Sequence, residues 1–233
     1  MKNLLIIPAR GGSKRIPKKN IKRFKGKPII EWTINELLKL DSFEKIIVST
    51  DDQEIAKIST NSGIEVPFIR PKRISDDNAS TRDVIIHAIR WFKEKNIEFG
   101  NVCCVYPTSI FIKHESISNA LKILNSKKEE GYIFSATSFP HPIQRSFYIN
   151  KKGISQMFFP EKFRSRTQDL ENSYHDAGQF YIASPKVWIE KQNIFENGIP
   201  FVIPRWHSID IDTIEDWELA EIIFELNKKN KQN

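Results

Sequence analysis

Apolar residues occur along the chain in two kinds of pattern, short continuous runs and helical repeats. Runs such as 4–7 and 101–106 have the length and uninterrupted apolar character of strands that are buried on both faces of a parallel sheet. Other segments carry apolar residues at every third or fourth position, which is the spacing of an amphipathic helix. Strands are predicted at 4–7, 45–49, 65–69, 101–106, 131–137, 178–183 and 201–203. Helices are predicted at 28–40, 52–61, 81–95, 113–124, 185–191 and 214–227, with Asp51 as the cap of the second.

This alternation of strands and helices predicts an α/β fold of Rossmann-like type, with a mostly parallel sheet and helices on both faces. The alternation fails between residues 138 and 176, where prolines, aromatic residues and polar residues mix and a hairpin turn is predicted at Lys152-Gly153. So long an irregular segment is unusual inside a compact domain. We therefore predict a single domain over 1–227, in which 138–176 is an excursion that packs on a second subunit, followed by a disordered basic tail at 228–233.

The composition narrows the class of protein. Hydrophobic residues make up 39% of the chain and charged residues 28%, as in soluble globular domains. No apolar run approaches the length of about 18 residues that a membrane helix needs, and the N-terminus lacks a signal-peptide pattern, so we expect a cytoplasmic protein without a membrane partner. Cys103 and Cys104 are adjacent in an apolar run and would face opposite sides of a strand. We expect both to be buried thiols without a disulfide.

The net charge of +7 raises the possibility of a nucleic-acid partner. The cations are concentrated in the first twenty residues, around 70–73 and at 228–231, and no basic helix is interleaved with aromatic residues. An anionic small substrate accounts for the first two groups equally well, so we do not expect a nucleic-acid partner.

The first strand is followed by a loop rich in glycine and in positive charge. Gly11 and Gly12 allow tight turns and the close approach of backbone N–H groups to an anion. A strand that feeds such a loop is typical of phosphate sites at the carboxyl ends of parallel strands. Neither the Walker spacing nor the dinucleotide fingerprint is present, and a solvated basic loop is the alternative. We predict that a triphosphate binds to the side chains of Arg10, Ser13, Lys14 and Lys19 and to the backbone of Gly11 and Gly12.

The whole stretch from Pro8 to Asn20, with Pro-Ala-Arg-Gly-Gly-Ser-Lys-Arg-Ile-Pro at its start and Lys-Asn at its end, resembles the signature of cytidylyltransferases that activate acidic sugars. These include the CMP-sialic acid, CMP-pseudaminic acid and CMP-KDO synthetases, and the resemblance extends to about Leu226. It implies a homodimer that joins CTP to a nine-carbon acidic sugar and releases pyrophosphate. It also implies nucleotide contacts from Asn20, otherwise a simple turn residue, and a catalytic role for Arg10 and Lys19.

Two further groups complete the predicted nucleotide and metal site. By resemblance, the cytidine would lie against Arg70 and the loop 77–80, including Ala79 and Ser80, although Ser80 could equally be only a helix cap. Asp210 and Asp212 are two residues apart, so in an extended segment both carboxylates can reach one hard cation. The alternative for Asp212 is an N-cap paired with Glu215. Because 208–213 resembles the metal motif of the family, we predict Mg²⁺ at both aspartates and a catalytic role for Asp212.

The acidic sugar is expected between the loop after the central strand and the excursion. The candidates are Tyr106, Thr108, Ser109, Arg145, Arg164, Arg166, His175, Asp176 and Gln179. The arginines would bind the sugar carboxylate, or else are surface residues. Sialic acid synthetases usually have Gln where this chain has Tyr106, and the stretches 139–145, 157–161 and 174–181 resemble the pseudaminic acid branch instead. Sialic acid, legionaminic acid and KDO are the alternative sugars, and a non-catalytic nucleotide-binding regulator is an alternative of another class.

Overall fold

A computed structural model describes residues 2–76, 79–127 and 130–229 of the chain. Its helices are α1 Ile29–Leu37, α2 Gln53–Asn61, α3 Thr81–Glu94, α4 His114–Ser126, α5 Pro185–Glu190 and α6 Ile214–Lys229. Its strands are β1 Asn3–Pro8, β2 Arg23–Phe24, β3 Lys27–Pro28, β4 Lys45–Ser49, β5 Asn101–Val105, β6 Ile133–Ser138, β7 Phe147–Ile149, β8 Ser155–Met157, β9 Tyr174–Ala183 and β10 Ile199–Val202.

Six strands form the central sheet, in the order β10-β6-β9-β5-β1-β4. β1 pairs in parallel with β4 and β5, and β10 pairs in parallel with β6. Only β9 runs antiparallel, between β5 and β6. The predicted α/β fold with a mostly parallel sheet is therefore confirmed.

Helices cover both faces of the sheet, as the continuous apolar run of β1 requires. Along β1, Leu5 and Ile7 pack with α1, α2 and α4 on one face, while Leu4 and Ile6 pack with α3 and α5 on the other. Cys103 and Cys104 of β5 follow the same alternation as free, fully buried thiols. A third cluster joins α6 to Phe24 and to the segment just after the glycine loop. This cluster holds α6 beside the carboxyl end of β1.

The structure corrects several predicted boundaries. The strand expected at 65–69 is reduced to two isolated bridges, at Glu65 and Ile69, because Pro67 between them has no N–H group to donate. β9 begins at Tyr174, so the end of the predicted excursion belongs to the sheet. α6 continues to Lys229, so the tail does not begin at 228, and residues 230–233 lie outside the described part of the chain.

The remainder of the excursion contains the predicted hairpin and a large exposed apolar surface. β7 and β8 pair around a turn in which Gly153 adopts a φ of 76°, a conformation that favours glycine. The exposed apolar side chains here include Phe147, Ile149, Ile154, Phe158 and Phe163. Within the described residues, no helix combines the length and the apolar character that a bilayer crossing requires.

Candidate active site

A cavity of about 410 Å³ opens at the carboxyl ends of β1 and β5. Parallel strands end at the same edge of a sheet, so the loops that follow β1 and β5 meet there. The predicted residues that line the cavity are Arg10, Ser13, Lys14, Lys19, Asn20, Arg70, Ala79, Tyr106, Thr108, Asp210 and Asp212. The other lining residues, for which no role is predicted, are Pro8, Arg15, Ile16, Thr81, Val84 and Pro107.

Asp51 holds the glycine loop in place beside the cavity. Its Oδ1 accepts a hydrogen bond of 3.1 Å from the Gly11 N–H and lies 3.5 Å from the Arg70 guanidinium. The predicted cap role of Asp51 is wrong, since its neighbour Asp52 caps α2 by accepting the N–H groups of Glu54 and Ile55. The Gly11 N–H, predicted to bind phosphate, instead donates to Asp51 and fixes the loop. Two consecutive acids after a strand, where a helix needs only one, are the signal that could have revealed this role.

The two glycines of the loop are not equivalent. A Cβ atom on Gly11 would lie 2.5 Å from the Oδ2 atom of Asp52, so the close approach requires glycine. A Cβ atom on Gly12 would meet nothing within 4 Å. Neither glycine lines the cavity. The structural requirement for glycine is therefore confined to Gly11.

Asn20 fixes the backbone of the same loop. Its side chain is buried and donates a hydrogen bond of 2.9 Å to the Arg10 carbonyl oxygen. The Arg10 guanidinium in turn donates to the Asp76 carbonyl oxygen across the cavity mouth, at 3.2 Å. Asn20 thus acts on Arg10 through the backbone, in addition to lining the cavity.

Asp212 is the carboxylate around which the cations gather. Its Oδ1 lies 2.9 Å from the Arg15 guanidinium and 3.2 Å from the Lys19 ammonium. Lys19 also donates to the Ile211 carbonyl oxygen at 2.5 Å. Arg15 is one of the cations of the glycine loop. Its position in three dimensions, beside Asp212, assigns it to the active site.

The cap alternative for Asp212 is wrong. The Asp216 carboxylate accepts the N–H groups of Asp212 and Thr213, at 3.0 and 2.7 Å, and the Thr213 hydroxyl accepts the Asp216 N–H. Thr213 and Asp216 therefore form the reciprocal cap, and Glu215 has no part in it. The Asp212 side chain is left to face the cavity.

Asp210 and Asp212 fit the chemistry of a hard divalent cation. Both carboxylates line the cavity. Burial raises the pKa of Asp210, the charge of Asp212 raises it further, and Lys19 opposes the shift. Two oxygen donors whose negative charges repel each other beside a phosphate-sized space suit Mg²⁺, which takes one or two carboxylates together with phosphate oxygens.

The wall that would face a base or sugar comes from β5 and the start of α3. Tyr106 and Thr108 both line the cavity. The Tyr106 hydroxyl forms a hydrogen bond of 2.8 Å with the Thr81 hydroxyl. Burial raises the Tyr106 pKa, so the phenol stays neutral. Ser80 does not line the cavity, because it caps α3 in a reciprocal pair with Asp83. Residues 77 and 78 of the predicted cytidine loop lie outside the described part of the chain.

The other predicted sugar residues lie away from this cavity. Ser109 is buried and donates to the Gln179 carbonyl oxygen at 3.4 Å, and the Gln179 side chain donates to the His207 carbonyl oxygen. Asp176 accepts the Tyr181 hydroxyl at 2.5 Å, and His175 Nδ1 lies 2.8 Å from the Asp176 carbonyl oxygen. His175, Asp176 and Gln179 belong to β9, which pairs with β5 next to the cavity.

The three arginines of the excursion are exposed and do not line the cavity of their own chain. Arg145 donates to the carbonyl oxygens of Phe163 and Ser165, at 3.3 and 2.6 Å, and thereby ties the excursion together. Arg164 and Arg166 lie on the segment that Arg145 holds. No described residue of the excursion therefore supplies a cation to this cavity.

A sheet covered on both faces, with a cationic loop and an acidic pair at one edge, defines a nucleotidyltransferase. The chain belongs to the cytidylyltransferase family, whose model matches residues 4–197. A pseudaminic acid cytidylyltransferase from Campylobacter jejuni is 42% identical over 99% of both chains. A CMP-N,N'-diacetyllegionaminic acid synthase from Legionella pneumophila is 35% identical over 98% of this chain and 99% of its own.

More distant relatives agree with this assignment. An N-acylneuraminate cytidylyltransferase from Escherichia coli is 28% identical over 99% of this chain but only 54% of its own length. A solved CMP:2-keto-3-deoxy-manno-octonic acid synthetase, complexed with CTP, superposes with a TM-score of 0.71 at 15% identity, covering 97% of this chain and 100% of its own. At that identity the likeness concerns the fold alone.

Proposed function

We propose that this cytidylyltransferase transfers CMP from CTP to pseudaminic acid and releases pyrophosphate, with Mg²⁺ as the metal. The observation that carries the proposal is the convergence of Arg10, Lys14 and Lys19 with Asp210 and Asp212 on one cavity. Cations neutralise a triphosphate and carboxylates hold the metal, which are the two needs of nucleotidyl transfer. The choice of sugar is supported by the 42% identity to a pseudaminic acid enzyme over nearly the full length of both chains.

In this proposal Asp210 and Asp212 would hold the metal, which would supply positive charge to the triphosphate. The anomeric hydroxyl of the sugar attacks the α-phosphorus. Arg10, Lys14 and Lys19 stabilise the charge that moves onto the pyrophosphate. Asp210 and Asp212 hold the metal against the chain, and Arg15 balances the charge of Asp212. Tyr106 and Thr108 offer neutral hydroxyl groups to the sugar, in keeping with a phenol whose pKa is raised.

We further propose that the functional unit is a homodimer built through the excursion. Phe147, Phe158 and Phe163 are 57%, 59% and 65% exposed, which is unusual for phenylalanine on a monomer. A second copy would cover them and could bring Arg164 and Arg166 to the cavity of its neighbour, where a sugar carboxylate needs a cation. We also propose a cytoplasmic location and use of the product in cell-surface or flagellar glycosylation.

The proposal is tested by pyrophosphate release with CTP and Mg²⁺, offering pseudaminic, legionaminic and N-acetylneuraminic acids and KDO in parallel. We expect release with CTP and pseudaminic acid. A preference for another sugar would contradict the choice of substrate, and CTP binding without release from any sugar would favour the regulatory alternative.

The metal assignment has its own pair of variants. Asp210→Asn should abolish turnover and leave the fold intact. Glu215→Gln removes an exposed acid beside the site that does not line the cavity, and should be active. Near-normal activity of Asp210→Asn would refute the metal role.

A further inference from the structure

A second cavity, here called the rear cavity, lies on the other side of the loop 70–76 and of α3. It has a volume of about 390 Å³, close to the 410 Å³ of the active-site cavity. It is lined by Arg73, Ile74, Arg82, Asp83, Ile86, His87, Arg90, Trp91, Glu94 and Ile189. Most of these belong to α3, whose successive turns present one face to the cavity.

The three arginines of the rear cavity differ in their contacts with the described part of the chain. Arg82 donates to the carbonyl oxygens of Trp188 and Ile189 and so holds the end of α5. Arg73 and Arg90 are exposed and, within the part of the chain that the structure describes, form no side-chain hydrogen bond or ion pair. Two guanidinium groups therefore face a nucleotide-sized space, and no carboxylate among the described residues forms an ion pair with either.

His87 adds an unsatisfied polar atom to the same wall. Its Nδ1 is buried and has no hydrogen-bond partner among the described residues, and its ring packs edge-on against Phe68 at 4.8 Å. Burial lowers the His87 pKa, and the charges of Arg73 and Arg70 lower it further. Nδ1 itself has no accessible surface, so a bound molecule would meet the rest of the ring, which lines the rear cavity.

The acidic residues of the rear cavity do not cancel this positive charge. Asp83 is held at the start of α3, where its Oδ2 accepts from the N–H and hydroxyl groups of Ser80. Glu94 lies four positions after Arg90 on the same face of α3 and offsets part of that charge. With three arginines against two acids, the lining as a whole remains positively charged.

We propose that the rear cavity binds a phosphorylated ligand of nucleotide size, with its phosphate at Arg73 and Arg90 and any flat ring beside His87 and Trp91. Arginine suits phosphate because its planar fork donates two hydrogen bonds at once. The walls are shared with the active site: the loop that carries Arg73 also carries Arg70, and α3 presents Thr81 to the active-site cavity.

The test measures binding by calorimetry to the full chain carrying Arg10→Gln/Lys19→Gln, so that the active-site cavity does not compete, with AMP and inorganic pyrophosphate as separate probes. The site variant is Arg73→Gln/Arg90→Gln. The control variant Lys93→Gln/Lys122→Gln also removes two exposed positive charges, but neither residue lines the rear cavity. Arg82 is left unchanged because it holds α5. Loss of charge-assisted hydrogen bonds should weaken binding about tenfold in the site variant and leave the control within about twofold.

Each outcome decides the proposal. Tighter binding of AMP would identify a nucleotide as the ligand, whereas equal or tighter binding of pyrophosphate would identify the phosphate group itself. Equal affinity in the site and control variants, or no millimolar binding of either probe, would overturn the proposal. Because no sugar is present, failure here leaves the proposed cytidylyl transfer untouched, and failure of that reaction leaves this site standing.

Discussion

Gly11→Ala tests how tightly the glycine loop is fitted against the rest of the active site. The added methyl group would lie 2.5 Å from Oδ2, 3.0 Å from Cβ and 3.1 Å from Cγ of Asp52. An ordinary contact begins at 3.4 Å, so one partner must move by about 0.9 Å, the difference between 3.4 and 2.5 Å. Either the Asp52 side chain or the loop gives way.

The two responses have different magnitudes. Asp52 caps α2 through hydrogen bonds of 2.7 and 3.1 Å, which a shift of that size would break. Loss of such a cap costs about 1 kcal/mol of unfolding free energy, or roughly 2–4 °C in Tm for a domain of this size. Movement of the loop would instead displace Arg10 and Ser13, and kcat/KM would fall on the order of 10- to 100-fold.

Asp52→Gly provides the rescue background. All three close contacts are with the Asp52 side chain, and glycine at an N-cap costs only a few tenths of a kcal/mol. We therefore expect Gly11→Ala to be damaging in the wild type and nearly neutral in Asp52→Gly. The measurements are thermal unfolding and pyrophosphate release for the four members of the cycle. Equal damage in both backgrounds would refute the steric argument.

Three further predictions follow from charges and exposed surfaces. Arg15→Gln should tighten Mg²⁺ binding to the CTP-free protein several-fold by calorimetry, because Asp212 loses a competing cation; unchanged affinity would contradict this. Burial raises the Glu36 pKa, but hydrogen bonds from His114 and Lys39 outweigh it and bring it to about 2. A lowered pKa stabilises the fold above the unfolded value near 4.5, so about 3 kcal/mol should be lost as pH falls from 4.5 towards 2. Glu36→Gln should therefore flatten the profile of chemical denaturation against pH. Phe158→Asp should shift sedimentation from dimer to monomer, whereas an unchanged dimer would exclude the excursion as its interface.

The strands and helices around the sheet could be predicted because each is specified by its own short stretch of sequence. β1 and β5 contain continuous apolar runs, and the helices repeat their apolar residues at the helical period, so pattern alone locates these elements. The direction of β9 could not be predicted in this way. An antiparallel strand at the centre of a sheet is as apolar as its parallel neighbours, and only the path of the excursion before Tyr174 brings the chain back in the opposite direction.

The nucleotide half of the site was more accessible to sequence reasoning than the sugar half. The cationic loop and the Asp210 pair lie next to the ends of predicted elements, and strand ends converge by rule. Arg145 and His175 were chosen by residue type, without a positional rule, and both lie away from the cavity. The prediction that Asp51 caps α2 is wrong. In the sequence, a helix cap and a residue that holds a distant loop both appear as an aspartate after a strand. Only the partner, the Gly11 N–H, separates them.

The free active site neutralises its own charges. Asp212 is paired with Arg15 and Lys19, so the cations expected to meet a triphosphate are held by a carboxylate expected to meet a metal. Arg15 is 67% exposed, so breaking its ion pair with Asp212 costs little free energy. Lys19 is only 20% exposed and also donates to the Ile211 carbonyl oxygen. Metal and triphosphate should therefore enter together. The metal would neutralise Asp212 in place of its two cations, and the triphosphate would neutralise those cations in place of Asp212. On this argument Arg15 is the side chain that exchanges partners, while Lys19 stays beside Asp212 and the Ile211 carbonyl oxygen.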